Sequence, residues 1–157
     1  MLKITSKIKP LVLIILDGWG IAADTRGNAI TAANPANFNS LWFSYPHTYI
    51  KTSGAQVGLP EGKVGNSEVG HQNLGAGKIV MQDVLRINIA ITNGSFFENE
   101  GFLQAIEHTN SNNSTIHLMG LLGPGSVHSY IDHFMAILSL LKSAQFPAQR
   151  IKIHAFT

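Results

Sequence analysis

The last third of the chain most restricts its fold. Thr115 to Leu122 is an apolar run of strand length, and Ile151 to Phe156 is another. Between them, Tyr130 to Ala144 carries Ile131, Phe134, Ile137, Leu138 and Leu141 at helical period, and Phe146-Pro147 breaks the pattern. Strand, helix and strand at these lengths make a βαβ unit with parallel strands and a right-handed crossover. The fold class read from this stretch is α/β.

The N-terminal end adds a second constraint. Pro10 to Leu16 is unbroken by any polar residue and ends in Asp17-Gly18-Trp19-Gly20. Such a run reads as a strand buried on both faces. An acidic side chain at the C-terminal end of a buried strand stands where α/β sheets hold ligands. Asp also opens turns before Gly, so Asp17 has two readings, metal ligand and turn former.

Composition narrows the function classes. The hydrophobic fraction is 45% and the charged fraction 13%, enough apolar surface for a core and too little charge for disorder. Net charge is +2 with no basic stripe, so nucleic-acid binding has no electrostatic footprint. The absence of cysteine excludes disulfides and thiolate metal sites. Met1 to Lys9 is basic and precedes a short apolar run, but six residues ended by Asp17 make too short a core for a signal peptide. The expected location is cytoplasmic, with no membrane partner.

Chemistry concentrates in Gly62-Lys63-Val64-Gly65-Asn66-Ser67-Glu68-Val69-Gly70-His71. Glycines permit positive φ and close backbone approach. Asn66 is a predicted N-cap, and a helix start gathers unpaired N–H groups that suit an anion such as phosphate. Ser67 is then a candidate nucleophile, and His71 shares its helical face at i,i+4, as a base or as a packing residue. The same stretch also reads as an ordinary helix-capping turn.

The remaining pattern is coarse. Asn34-Pro35 predicts an N-cap and first helical position, followed by a short helix with Phe38, Leu41 and Trp42 inward. Thr48 to Thr52 reads as a short strand. Gln82 to Thr92 and Gly101 to His108 read as helices, and Asn110 to Ser114 as a polar loop. His128 follows the predicted strand end, placed to bind a phosphate or carboxylate oxygen or to serve as a loop histidine. His128 and Asp132 pair at i,i+4 if the helix begins early.

These motifs, in order, resemble the cofactor-independent phosphoglycerate mutases of the alkaline phosphatase superfamily. The resemblance rests on Leu13 to Gly20, Gly27-Asn28-Ala29-Ile30, Ala33-Asn34-Pro35, Gly58-Leu59-Pro60 and Gly65 to His71. It continues through Gly75-Ala76-Gly77, Ile87-Asn88, Asn93 to Phe97, Val127-His128-Ser129 and Ile131-Asp132-His133. It implies interconversion of 3-phosphoglycerate and 2-phosphoglycerate with Mn²⁺, two ions per complete enzyme, through a phosphoserine. By motif, Ser67 is the phosphoryl acceptor and a metal ligand, Asp17 a metal ligand, and His128 a substrate-binding residue. Residues 1–81 then correspond to the first segment of an alkaline-phosphatase-like metal domain. Residues 82–157 correspond to the first part of an inserted α/β substrate domain.

The sequence departs from the family pattern at Gly123-Pro124-Gly125-Ser126, where Ser-Asp-Gly-Gly is usual, and at Tyr130, where a second histidine is usual. The strand ending near Thr157 stops where a substrate motif is expected, so the chain reads as truncated and inactive alone. Its expected partners are phosphoglycerate and a complementary C-terminal chain. Two alternatives are a non-catalytic remnant and a related metal-dependent phosphatase or phosphomutase.

Overall fold

A computed structural model describes residues 9–23, 26–123, 125 and 128–157. Met1 to Ile8 of the basic start lie outside the described residues, as do Pro124 and Ser126 of the divergent loop and Val127. The chain divides into two compact units, Met1–Ile50 and Lys51–Thr157.

The first unit is helical where it is regular. Helix α1, Ala29–Ala33, is capped by Asn28, whose Oδ1 accepts from the Thr31 N–H at 3.1 Å. Asn34 ends it in the left-handed conformation (φ 42°), and α2, Ala36–Ser44, starts after Pro35. Asn34 is thus the C-cap of one helix, not the expected N-cap of the next. Its side chain instead accepts from Asn39 Nδ2 at 3.1 Å. Trp19, Phe38, Trp42 and Tyr49 form a chain of ring contacts, with centroids 5.2, 6.0 and 5.7 Å apart in turn. Phe38 and Trp42 are half-buried, but Leu41 is exposed.

Two strand expectations fail in this part of the chain. Pro10 to Leu16 pairs with no strand among the described residues, and Leu11 is 94% exposed. A two-faced buried strand requires neighbouring strands and covering helices on both sides; the described residues supply neither. Thr48 to Thr52 likewise forms no ladder. A single antiparallel bridge, Ser53 to Val64, forms just beyond it in the second unit.

The second unit begins with a loop wrapped on helix α3, Ser67–Ala76. Gly58 and Gly65 allow that wrap. A Cβ on Gly65 would overlap the Thr52 carbonyl oxygen, and one on Gly58 (φ +80°) would overlap the Val80 carbonyl. Asn73 ties both ends of the wrap: its Nδ2 donates to the Val57 carbonyl at 3.0 Å and its Oδ1 accepts from the Val80 N–H at 2.6 Å.

Helices α4, Asp83–Asn93, and α5, Glu100–Ser111, follow. The predicted helix over 82–92 is shifted by one residue, within the ordinary scatter of helix ends. Helix α5 outruns the predicted 101–108 because Asn99 Oδ1 accepts from two N–H groups at its start, and its last turn absorbs Asn110 and Ser111. Strand β1, Ile116–Leu121, helix α6, Ile131–Ser143, and strand β2, Ile151–Phe156, complete the expected βαβ unit. The strands pair in parallel from Ile116↔Ile151 to Leu121↔Phe156. The core is Ile106, Leu140, Leu141 and Phe146, with Ile116, Leu118, Ile137 and Ile151 packed against it. Apolar burial of this kind is worth about 1.5–3 kcal/mol per large side chain. The chain is therefore α/β through its second unit, with its core between α5, α6 and one sheet face.

Candidate functional site

Ser67 is the first residue of α3 and is exposed. Asn66 is extended (φ −144°, ψ 175°), and its Oδ1 accepts from the Val69 N–H at 2.9 Å, the N-cap expected from sequence. The cap presents Ser67 to solvent at the positive end of the helix, where an anionic group is stabilised by the dipole. Glu68 in the same turn also occupies that field.

His71 does share the face of Ser67. Its Nδ1 lies 2.8 Å from the Ser67 carbonyl oxygen and 3.3 Å from Ser67 Oγ. A carbonyl oxygen only accepts, so this geometry assigns the proton to Nδ1. That nitrogen is then a donor and has no lone pair with which to take the hydroxyl proton. His71 braces the first turn of α3 rather than activating the serine through Nδ1.

The second candidate region is an open cavity of about 190 Å³ where the start of α6 meets α4. His128, Ser129, Tyr130 and His133 line one side, and Asp83, Val84 and Ile87 the other. The structure thus sets the candidate substrate-binding residue His128, which is exposed, on a concave surface with polar and apolar walls. Helix α6 begins at Ile131, so His128 precedes it and the helical pairing with Asp132 does not arise. Asp132 acts on Tyr130 instead: its hydrogen bond, then its charge, then slight burial raise the phenol above its ordinary value.

His133 fixes the junction. Its Nε2 is 2.7 Å from Asn88 Oδ1 on α4, and its ring meets Tyr130 edge-on at 5.3 Å. Burial pushes the His133 pKa down, and the Asp132 charge partly opposes this. Asn88 was not singled out as a site residue. Its position between Ile87 and Ile89, a polar residue between two apolar ones in α4, is the available signal.

Asp17 sits in a turn with Gly18 (φ +76°), closed by Trp19 N–H donating to the Leu16 carbonyl at 3.1 Å. It belongs to the first unit and Ser67 to the second. Among the described residues no group of three or more His, Asp or Glu gathers to hold a metal ion. Manganese takes about six ligands, largely oxygen. The described residues therefore do not by themselves furnish the Mn²⁺ site that the resemblance implies.

An exposed, capped serine in a Gly-rich setting and a histidine-lined cavity occur together within one α/β unit. This is the class of chain the fold and site define. The family described as "BPG-independent PGAM N-terminus" matches residues 87–157. The chain is 51% identical over 148 residues to the 2,3-bisphosphoglycerate-independent phosphoglycerate mutase of Clostridium botulinum (strain ATCC 19397 / Type A), covering 94% of this chain and 29% of the relative. It is 51% identical over 156 residues to the enzyme designated 1 of that name from Methanosarcina barkeri, covering 99% and 30%. With the Nostoc punctiforme enzyme the figures are 49% over 150 residues, 96% and 28%. The chain matches the N-terminal portion of the 2,3-bisphosphoglycerate-independent phosphoglycerate mutases, and spans about three-tenths of the length of these relatives.

Proposed function

We propose that this chain supplies the N-terminal part of an enzyme that interconverts 3-phosphoglycerate and 2-phosphoglycerate, with Ser67 as phosphoryl acceptor. The observation that carries the reading is the exposed Ser67 held by the Asn66 cap, within a chain about 50% identical to such mutases over nearly all its length. In this reading residues 1–81 open the alkaline-phosphatase-like metal domain and residues 82–157 open the substrate domain. Asp17 and Ser67 would be this chain's ligands to Mn²⁺, with the remaining ligands drawn from beyond the matched portion. A metal bound there would make the serine hydroxyl a better nucleophile and offset phosphoryl charge. His128, beside the cavity between α4 and α6, would donate to an oxygen of the substrate. The reaction, part of glycolysis and gluconeogenesis, would take place in the cytoplasm.

The chain's own contribution is positional. The Asn66 cap orients Ser67, Gly65 permits the close turn before it, and the Asn88–His133 hydrogen bond holds the cavity walls. The 157-residue chain by itself is expected to show no mutase turnover, because the described residues assemble no metal site. The exposed apolar run from Leu11 to Ile14, 74–94% exposed and without a strand partner among the described residues, suits pairing with strands from beyond the matched portion, whether on the same or a second polypeptide.

A chimera joining this chain to the remaining C-terminal portion of the Clostridium botulinum enzyme tests the reading. After acid quench from 3-phosphoglycerate and Mn²⁺, mass spectrometry is expected to find phosphate on the Ser67 peptide. Phosphate elsewhere in a folded, active chimera would overturn the assignment of Ser67.

A further inference from the structure

The outer face of the βαβ sheet carries a cluster that the proposed reaction does not use. His117 on β1 and His154 on β2 are both exposed, and His117 Nδ1 lies 2.9 Å from His154 Nε2. Their rings are nearly parallel, 20° apart, with centroids at 5.2 Å. The parallel register sets Lys152 opposite His117 and Met119 opposite His154. His117, Met119 and His154 therefore share one face, and Met119 is 67% exposed.

We propose that His117, His154 and Met119 form a copper-binding site on this face. Each imidazole presents one nitrogen to the other, and a bond between them needs one proton, so at least one ring is neutral and ready to ligate. Two nitrogens bound at about 2.0–2.1 Å and about 90° stand about 2.9 Å apart, the separation this pair already has. Turning each ring toward a shared ion takes rotation about χ2, a soft torsion in exposed histidines. Strand spacing of about 4.8 Å and a two-residue step of about 6.6 Å put Met119 within side-chain reach of the same ion. Imidazole suits copper in both oxidation states, and a thioether adds preference for Cu⁺. Among the described residues no carboxylate joins the cluster to form a three-group His, Asp or Glu site, which weighs against hard cations.

Two measurements on the 157-residue chain test this. Pulsed electron paramagnetic resonance with one equivalent of Cu²⁺ is expected to show two imidazole nitrogens, and to show one in His117→Asn and in His154→Asn. Anaerobic Cu⁺ titration against a chromophoric chelator is expected to show one equivalent bound, weakened at least tenfold by either histidine change. Met119→Leu is expected to weaken Cu⁺ about tenfold and leave Cu²⁺ unchanged. Circular dichroism checks each variant, with His117→Gln and His154→Gln as replacements should an asparagine variant lose its fold. A wild-type spectrum with one nitrogen or none, or folded histidine variants that keep wild-type Cu⁺ affinity, would overturn the site. Neither result bears on Ser67, so the mutase reading stands or falls separately.

Discussion

Arg150 ties the start of β2 to the end of α5 and the approach to β1, and replacing it with methionine should loosen the sheet measurably. Its Nε donates to the Ser114 carbonyl at 2.6 Å, its Nη2 donates to the Thr109 carbonyl, and its guanidinium lies 5.0 Å from the centre of the Phe146 ring. These contacts pin the end of α5 and the approach to β1 against the start of β2. Hydrogen bonds from a charged donor contribute about 1.5–3 kcal/mol each. The ring contact adds about 0.5–1 kcal/mol. Arg150 is half-buried, and water can replace part of what is lost, so the net expectation for Arg150→Met is about 2–3 kcal/mol. Tryptophan fluorescence would miss this, because Trp19 and Trp42 both lie in the other unit. Hydrogen exchange read on peptides covering β1 and β2 reports it locally. A loss of 2–3 kcal/mol speeds exchange about 30- to 150-fold where the ladder opens. Arg150→Lys keeps the charge without the fork, and should fall between wild type and methionine. Less than a threefold change in Arg150→Met would refute the claim that this side chain joins the elements.

Other expectations follow from the same contacts. Leu141, 2% exposed at the centre of the core, should cost about 3 kcal/mol when cut to alanine, read as a lower urea midpoint. Asn66→Ala removes the cap before Ser67 and should cost about 1 kcal/mol, seen as faster exchange in the first turn of α3 only. Gly65→Ala drives a Cβ into the Thr52 carbonyl and should displace the Ser53–Val64 bridge, visible in backbone chemical shifts at those residues. The His133 pKa is lowered in the folded chain, so the unfolded chain binds the proton more readily. Its contribution is complete above the unfolded value, about 6.5, and is lost as pH falls below it toward the folded value. A histidine proton titration should find His133 below the ordinary imidazole range, and His133→Gln should flatten that part of the stability profile.

The βαβ unit was legible because its signals are local. Helical period over Ile131 to Leu141 and two apolar runs of strand length each specify an element without help from elsewhere. The cap at Asn66 was legible for the same reason. Pro10 to Leu16 was misread because a buried strand is a property of its neighbours: seven apolar residues announce burial, but ladder partners must come from other parts of a sheet. Asn34 was misread by one helix, since an Asn before Pro suits a left-handed C-cap as well as an N-cap. The pairing of Ser67 with His71 was right in spacing, but the carbonyl that claims Nδ1 is invisible in sequence. His128 was placed on a loop correctly, whereas the far wall of its cavity comes from α4, where Asp83, Ile87 and Asn88 (the partner of His133) lie about forty residues back in sequence.

The central claim is that Ser67 of this chain takes the phosphoryl group in a phosphoglycerate mutase. Turnover of 3-phosphoglycerate to 2-phosphoglycerate by the Clostridium botulinum chimera, measured with Mn²⁺ and beside its Ser67→Ala counterpart, tests it most directly. The account expects Mn²⁺-dependent turnover that vanishes in Ser67→Ala while circular dichroism stays unchanged. Equal turnover with and without the serine hydroxyl, or a folded chimera with no turnover at all, would contradict it.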